Sequence, residues 1–359
     1  MSMARPHTQI IGLGASTPIG RNVWSSAAAA RAGICGFSEH PFMIDTAGES
    51  MRIARAPWLG VSIEGIERYC ALLFPAINEA LASIQHRLEQ RSLKVGLALG
   101  LPPSRPGQPV DLSRNILDAI AQKYSGLFVF VYVVSFEVGH AAGLLALDAA
   151  IKNCMAQSIE VCVVAGVDSY LAPETLEWIE DCDQLHGGGP LNNAWGYIPG
   201  EAAGALLIST EALTREIGME SFGEIVGVGI GRETKLIKTD EVCIGEGLTQ
   251  AFRAALHELM PGEQVHNVFC DLNGETYRAD EYGFAALRTK EYFRAATDFI
   301  APADCWGDIG AASAVLYPAL AVICHHKRYG KGPLSMVWAS SESGERGAAV
   351  IRGLDPCGG

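Results

Sequence analysis

No two of the ten cysteines form a C-x-x-C pair; they lie scattered at 35, 70, 154, 162, 182, 243, 270, 305, 324 and 357. That spacing offers no zinc frame and fits reduced, mostly buried thiols in a cytoplasmic protein rather than a disulfide-stapled secreted one. No apolar run reaches the length needed to cross a bilayer, and the N-terminal stretch has no apolar core followed by a cleavage site. Positive charge is scarce: 27 Lys and Arg stand against 40 Asp and Glu, a formal net charge of −13. Such a surface repels phosphate backbones and anionic lipid, so neither nucleic acid nor a membrane is an expected partner. No G-x-S-x-G nucleophile elbow occurs. Gly12-Leu13-Gly14 follows a strand-like run, but Thr17 stands where a dinucleotide-binding G-x-G-x-x-G needs its third glycine. A close backbone turn is the expected role of these glycines, and neither a cofactor nor a metal is expected.

What is present is a dense α/β pattern. The chain of 359 residues is 49% apolar and 19% charged, enough for one large or two medium domains with a sizeable core. Its centre is the stretch 127–169. Residues 127–134, LFVFVYVV, are rich in β-branched and aromatic types and read as a strand buried on both faces. Gly139 then allows a tight turn. From His140 onward Leu144, Leu147 and Ile151 recur at helical spacing among alanines, and 161–164 returns as a second strand. A strand–turn–helix–strand unit puts His140 at a helix N-terminus, where backbone N–H groups and the helix dipole converge. An α/β enzyme would place a nucleophile there.

Around this unit the pattern predicts a strand at 8–15, helices at 21–31, 66–89 and 112–124, a strand at 94–99, and irregular chain at 41–60, 102–109 and 171–199. Glu201 reads as a buried, hydrogen-bonded structural carboxylate rather than a catalytic one. From 216 the pattern restarts, with Ile225-Val226-Gly227-Val228-Gly229 echoing Ile10-Ile11-Gly12-Leu13-Gly14. Helices at 248–259, from 277 and after 313, and strands at 265–270, 334–340 and 348–351 complete the second half. The weak repeat divides the chain into halves 1–215 and 216–359 of one layered α/β fold. Glu275, Arg278 and Glu281, at helical spacing, read as a surface or salt-linked face. His325-His326-Lys327-Arg328 reads as the solvated end of a helix.

Several of these motifs resemble the β-ketoacyl synthases of the thiolase superfamily. Gly139-His140-Ala141-Ala142-Gly143-Leu144 followed by Ala165-Gly166-Val167-Asp168-Ser169 is similar to their Ala-Cys-Ser-Ser-Gly-Leu elbow and closing Gly-Gly-Val-Asp-Ser. The opening 10–20 and Ala32-Gly33-Ile34 match the family's start. Leu272-Asn273-Gly274-Glu275-Thr276 stands where the family has His-Gly-Thr-Gly-Thr, and 307–313, GDIGAAS, stands at Gly-His-x-x-Gly-Ala-Ala-Gly. The resemblance covers nearly the whole chain and implies the five-layered αβαβα thiolase-like fold. It also implies that the family's Cys-His-His set falls on His140, Asn273 and Asp308.

A Claisen condensation needs a thiolate to carry the acyl group and donors for the developing oxyanions. His140 has no sulfur, Asp308 would repel an enolate, and Cys154, Cys270 and Cys305 are not at the matching positions. Condensing activity is therefore not expected. One reading is a pseudoenzyme that acts as a protein partner, scaffold or adaptor, either a non-catalytic synthase subunit or a secretion-effector accessory or chaperone. The other is an acyl-thioester-directed acyltransferase, decarboxylase or hydrolase in which His140 and Asp308 act as an imidazole–carboxylate base, with Ser135, Ser169 or Ser313 as a nucleophile. A neutral polar cluster satisfying its own hydrogen bonds fits the same residues. The run 127–134 corresponds to the strand that pairs across the two-fold axis in the family. A homodimer, or a heterodimer with a related subunit, is thus expected, with a protein client or an acyl carrier protein as a further partner. Residues 340–347 replace the family's Gly-Phe-Gly-Gly, whose Phe gates the acyl tunnel.

Overall fold

The computed structural model describes residues 7–237, 239 and 241–355. Cys357 and the first six residues of the N-terminal stretch lie outside that range. Runs of β-branched residues alternate with alanine-rich amphipathic stretches, giving β1 (Thr8–Ser16), α1 (Val23–Arg31), β2 (Phe37–Ile44), β3 (Ser50–Ala54), α2 (Gly65–Ala82), α3 (Gln85–Gln90) and β4 (Val95–Leu101). Next come α4 (Leu112–Tyr124), β5 (Phe130–Glu137), α5 (Ala142–Met155), β6 (Val161–Ser169), α6 (Pro173–Asp181), β7 (Glu201–Thr210) and α7 (Glu211–Glu216). The chain continues through β8 (Gly223–Arg232), α8 (Glu246–Leu256), β9 (Asn267–Phe269), α9 (Thr276–Arg288), β10 (Phe299–Ile300), α10 (Ala303–Trp306), α11 (Ser313–His326), β11 (Leu334–Ser340) and β12 (Glu345–Gly353).

Ten strands form one sheet in the order β10-β9-β11-β12-β8-β1-β7-β6-β4-β5. Counted outward from the centre, β1-β7-β6-β4-β5 and β8-β12-β11-β9-β10 follow the same route. Matching pairs also share direction: β1/β7 and β8/β12 are antiparallel, while β4/β6 and β9/β11 are parallel. The two arms join where Thr8, Gln9 and Ile10 pair with Ile225, Glu224 and Gly223.

Helices α5 and α11 lie between the arms, packing Leu144, Leu147, Val315 and Leu320 against Leu206 on one side and Val337 on the other. Helices α2 and α4 cover the outer face of the first arm, and α8 and α9 that of the second. Helix, sheet, helix, sheet, helix: this is the αβαβα layering that the resemblance implies.

The paired glycines seat these outer helices. A Cβ on Gly12 or Gly14 would fall 2.2 or 1.9 Å from the carbonyl oxygens of Ala80 and Ala76 in α2. A Cβ on Gly227 or Gly229 would fall 2.4 or 2.0 Å from those of Ala255 and Ala251 in α8. Their role is close approach of backbone to backbone.

Several expectations are corrected. The run 127–134 is not buried on both faces: β5 is an edge strand, and Val131 and Val133 are 59% and 46% exposed. Apolar composition alone does not distinguish a strand covered by its own chain from one left at an edge. Residues 41–60 are not irregular but hold most of the β2–β3 hairpin, whose β2 (FSEHPFMI) contains Pro41, lacks a regular apolar–polar alternation and has no fully buried residue. The stretch 171–199 contains α6, and the predicted helix 66–89 breaks at Ser83 into α2 and α3. Among the described residues, no helix is long and apolar enough to cross a membrane.

Candidate functional site

At the end of β5 the chain reverses through Gly139 (φ +79°), whose N–H donates to the Leu101 carbonyl at 3.0 Å. Only glycine holds that conformation without strain, and it delivers His140 just ahead of α5. Asp308 lies between α10 and α11 and is pinned through its backbone. Its N–H donates to Ile198 O at 2.8 Å, and its carbonyl accepts the Gly200 N–H at 2.7 Å, so it lies against the segment entering β7. Asn273 sits in the turn between β9 and α9.

The structure brings these three side chains together. His140 Nε2 lies 2.8 and 2.9 Å from the two carboxylate oxygens of Asp308. Asn273 Nδ2 donates to Asp308 Oδ2 at 2.6 Å and to Glu275 Oε2 at 3.0 Å, while the Gly310 N–H donates to Asp308 Oδ1 at 2.8 Å. Every oxygen of the Asp308 carboxylate is therefore engaged from within the chain.

A fourth residue belongs to the cluster. Arg278 is fully buried and donates to Asp271 and to the Ser340 carbonyl, both at 2.8 Å, and to Glu275 at 3.1 Å; its Nη2 lies 3.5 Å from His140 Nε2. The surface part of the expectation for Glu275, Arg278 and Glu281 is thus corrected, since all three are buried, whereas the salt-linked part agrees with the ion pairs to Arg278 and Arg346. The signal was present: Arg278 precedes Tyr282 and Ala285 by four and seven residues, on the face of α9 that packs inward.

The loop between β11 and β12 packs against the start of α5. Ser341 Oγ accepts the Ala141 N–H at 2.9 Å, so this backbone donor at the start of α5 is already occupied. Gln184 spans Glu275 and Glu342 at 2.8 and 2.7 Å.

Burial by itself would hold the His140 imidazole neutral. The Asp308 carboxylate outweighs burial and the repulsion of Arg278, and the net shift is upward from 6.5. Burial would likewise raise Asp308, but His140 and Arg278 hold it well below the usual carboxylate range. The carboxylate of Asp308 thus favours the protonated form of the His140 ring, and the ring favours the ionised form of the carboxylate. Asp271 moves the other way: burial raises it, partly offset by Arg278.

Other candidates are committed elsewhere. The Ser135 hydroxyl pairs with Ser113 at 3.0 Å, Ser169 donates to Glu201 at 2.9 Å, and Ser313 is hydrogen-bonded to Tyr317. Burial pushes the Cys154 thiol up to about 12, and Cys270 is lifted further still. Glu201 accepts from Arg68 Nε and Nη2 (2.6 and 2.7 Å) and from the Ala56 N–H (2.8 Å), the bonding of a structural carboxylate. Asp168 takes Arg105 and the Ala311 N–H, fixing the turn behind Asp308. Glu233, Cys243 and Glu281 bring donor atoms within 4.8 Å of one another. Glu233 already accepts three backbone N–H groups and Glu281 pairs with Arg346, so the trio reads as structural.

In sequence, neither a family model nor a curated protein matches this chain. Solved structures do. A type II polyketide-synthase ketosynthase, crystallised with its acyl-carrier protein and bound to a hexaketide, superposes with a TM-score of 0.79 at 15% identity, covering 98% of this chain and 100% of that one. The oxazolomycin ketosynthase domain of Streptomyces albus gives 0.78 at 12% identity over 98% and 75% of the two chains. The ishigamide ketosynthase/chain length factor gives 0.77 at 14% identity over 98% and 100%. At these identities the likeness is one of architecture, and it agrees with the strand order and layering described above. The chain has the thiolase-like fold of the ketosynthases.

Proposed function

We propose that this is a ketosynthase-like protein without condensing activity, built as two duplicated halves, 1–215 and 216–359, and acting as a protein partner, scaffold or adaptor. One observation carries the reading: the positions matching the family's reactive residues hold His140, Asn273 and Asp308, bonded to one another rather than left open to a substrate. The cluster supplies no sulfur nucleophile, and it opposes an enolate with a carboxylate. The partner would be a second copy or a related subunit joined along β5, with a protein client or an acyl carrier protein as a further ligand. In support, a ketosynthase with its carrier protein and a ketosynthase/chain length factor are among the structures that this fold resembles.

The test is incubation of the pure protein with a radiolabelled acyl thioester and with a malonyl thioester. The expected result is no covalent label and no β-ketoacyl product. Label retained on the polypeptide, or carbon–carbon bond formation, overturns the proposal. The His140–Asp308 pair favours a second reading, an acyl-thioester hydrolase, decarboxylase or acyltransferase in which His140 takes a proton. With Nε2 bonded to Asp308, Nδ1 is the ring atom through which that transfer would run. Thioester turnover that His140→Ala abolishes would select it.

A further inference from the structure

Cys35 follows α1 and is exposed, while Cys305 is buried in α10. The Cys35 thiol donates to the Asp304 carbonyl at 3.2 Å, and the Gly36 N–H donates to the Cys305 carbonyl at 2.7 Å. The Cys305 thiol faces Ala30 O at 3.7 Å, at the end of α1. Both thiols therefore face the gap between α1 and α10, each bonded to a carbonyl of the segment that carries or adjoins the other. We propose that Cys35 and Cys305 are a redox-sensitive thiol pair that closes to an intramolecular disulfide by exchange with a small-molecule disulfide such as oxidised glutathione.

Cys35, the accessible member, reacts first: its thiolate attacks one glutathione sulfur, the glutathione S–S bond breaks, and one glutathione leaves and takes up a proton. The Cys305 thiol then loses its proton to water and attacks the Cys35 sulfur, releasing the second glutathione. Two protein thiols are oxidised and one glutathione disulfide is reduced to two thiols. The order follows from access and acidity, since burial, with Cys35 and Asp304 adding, lifts Cys305 to about 11. Cys154 and Cys162 are also neighbours, but both are buried and offer no entry point. The new bond would fasten the segment after α1 to the short helix that leads into Asp308.

The full chain is treated with oxidised glutathione, digested without reductant and analysed by mass spectrometry, alongside Cys35→Ser and Cys305→Ser. In the wild type the peptides carrying Cys35 and Cys305 are expected to be cross-linked, and Tm to rise by about 5 °C, reversibly with dithiothreitol. Cys305→Ser should retain glutathione on Cys35, and Cys35→Ser should take none on Cys305. A stable glutathione adduct on wild-type Cys35, a cross-link to a different cysteine, or no modification at either thiol overturns the proposal.

Discussion

His140 and Asp308 lie 168 residues apart in sequence and meet at 2.8 Å. The pair is the electrostatic centre of a cluster that also holds Asn273, Glu275, Asp271 and Arg278, and its charge state can be measured directly.

Asp308→Asn removes the carboxylate that is hydrogen-bonded to the imidazole. Burial and Arg278 then both disfavour the charged ring. The His140 titration, followed by NMR of the imidazole C–H, should fall from above 6.5 to below it. An unchanged titration would remove Asp308 from the account.

Stability should follow pH with two opposite signs. His140 is raised in the folded state, so its contribution is complete below the unfolded value of 6.5 and fades as pH rises through the folded value. Asp308 is depressed, so its contribution is complete above 3.8 and fades as pH falls through its lower folded value. The difference in urea midpoint between wild type and His140→Asn/Asp308→Asn should therefore be widest between about pH 4 and 6.5 and shrink on either side. A pH-independent difference would contradict the pairing.

Gly229→Ala would set a methyl group 2.0 Å from the Ala251 carbonyl, forcing α8 off its strand. A loss of about 1–3 kcal/mol or more is expected in chemical denaturation. Gly283→Ala, on the exposed side of α9 with no atom within 4 Å of the new Cβ, is the control and should gain roughly 0.5–1 kcal/mol. Equal effects at both sites would refute the helix-seating role.

Val131→Lys places a charge on the exposed edge strand β5. If β5 joins two copies, light scattering should find a dimer for the wild type and a monomer for the variant. A wild-type monomer would rule out self-association and leave the related subunit as partner.

The layered fold was legible because its devices recur: the glycine pairs at 12/14 and 227/229 fall in two similar strands, and the apolar periods around Leu144 and Leu316 are strong. The positions of His140, Asn273 and Asp308 were legible because their glycine and alanine frameworks persist. Arg278 was missed because its charge argued for solvent, while its phase on α9 argued for the interior and prevailed through Asp271 and Glu275. The β2–β3 hairpin was not legible because Phe37, Phe42, Met43 and Ile44 do not alternate with polar residues along β2 and Pro41 interrupts it. Likewise, the apolar composition of β5 reads the same at an edge as in a sheet centre.

Since His140 and the backbone of Asp308 are held on the first arm while Asn273 and Arg278 follow β9 in the second, the complete cluster forms only once the arms have docked. Held apart, the second arm would leave the His140–Asp308 pair without the Asn273 amide and the Arg278 guanidinium. The site thus works as a clasp across the pseudo-dyad. A probe on the imidazole would report assembly of the two arms rather than the folding of either one.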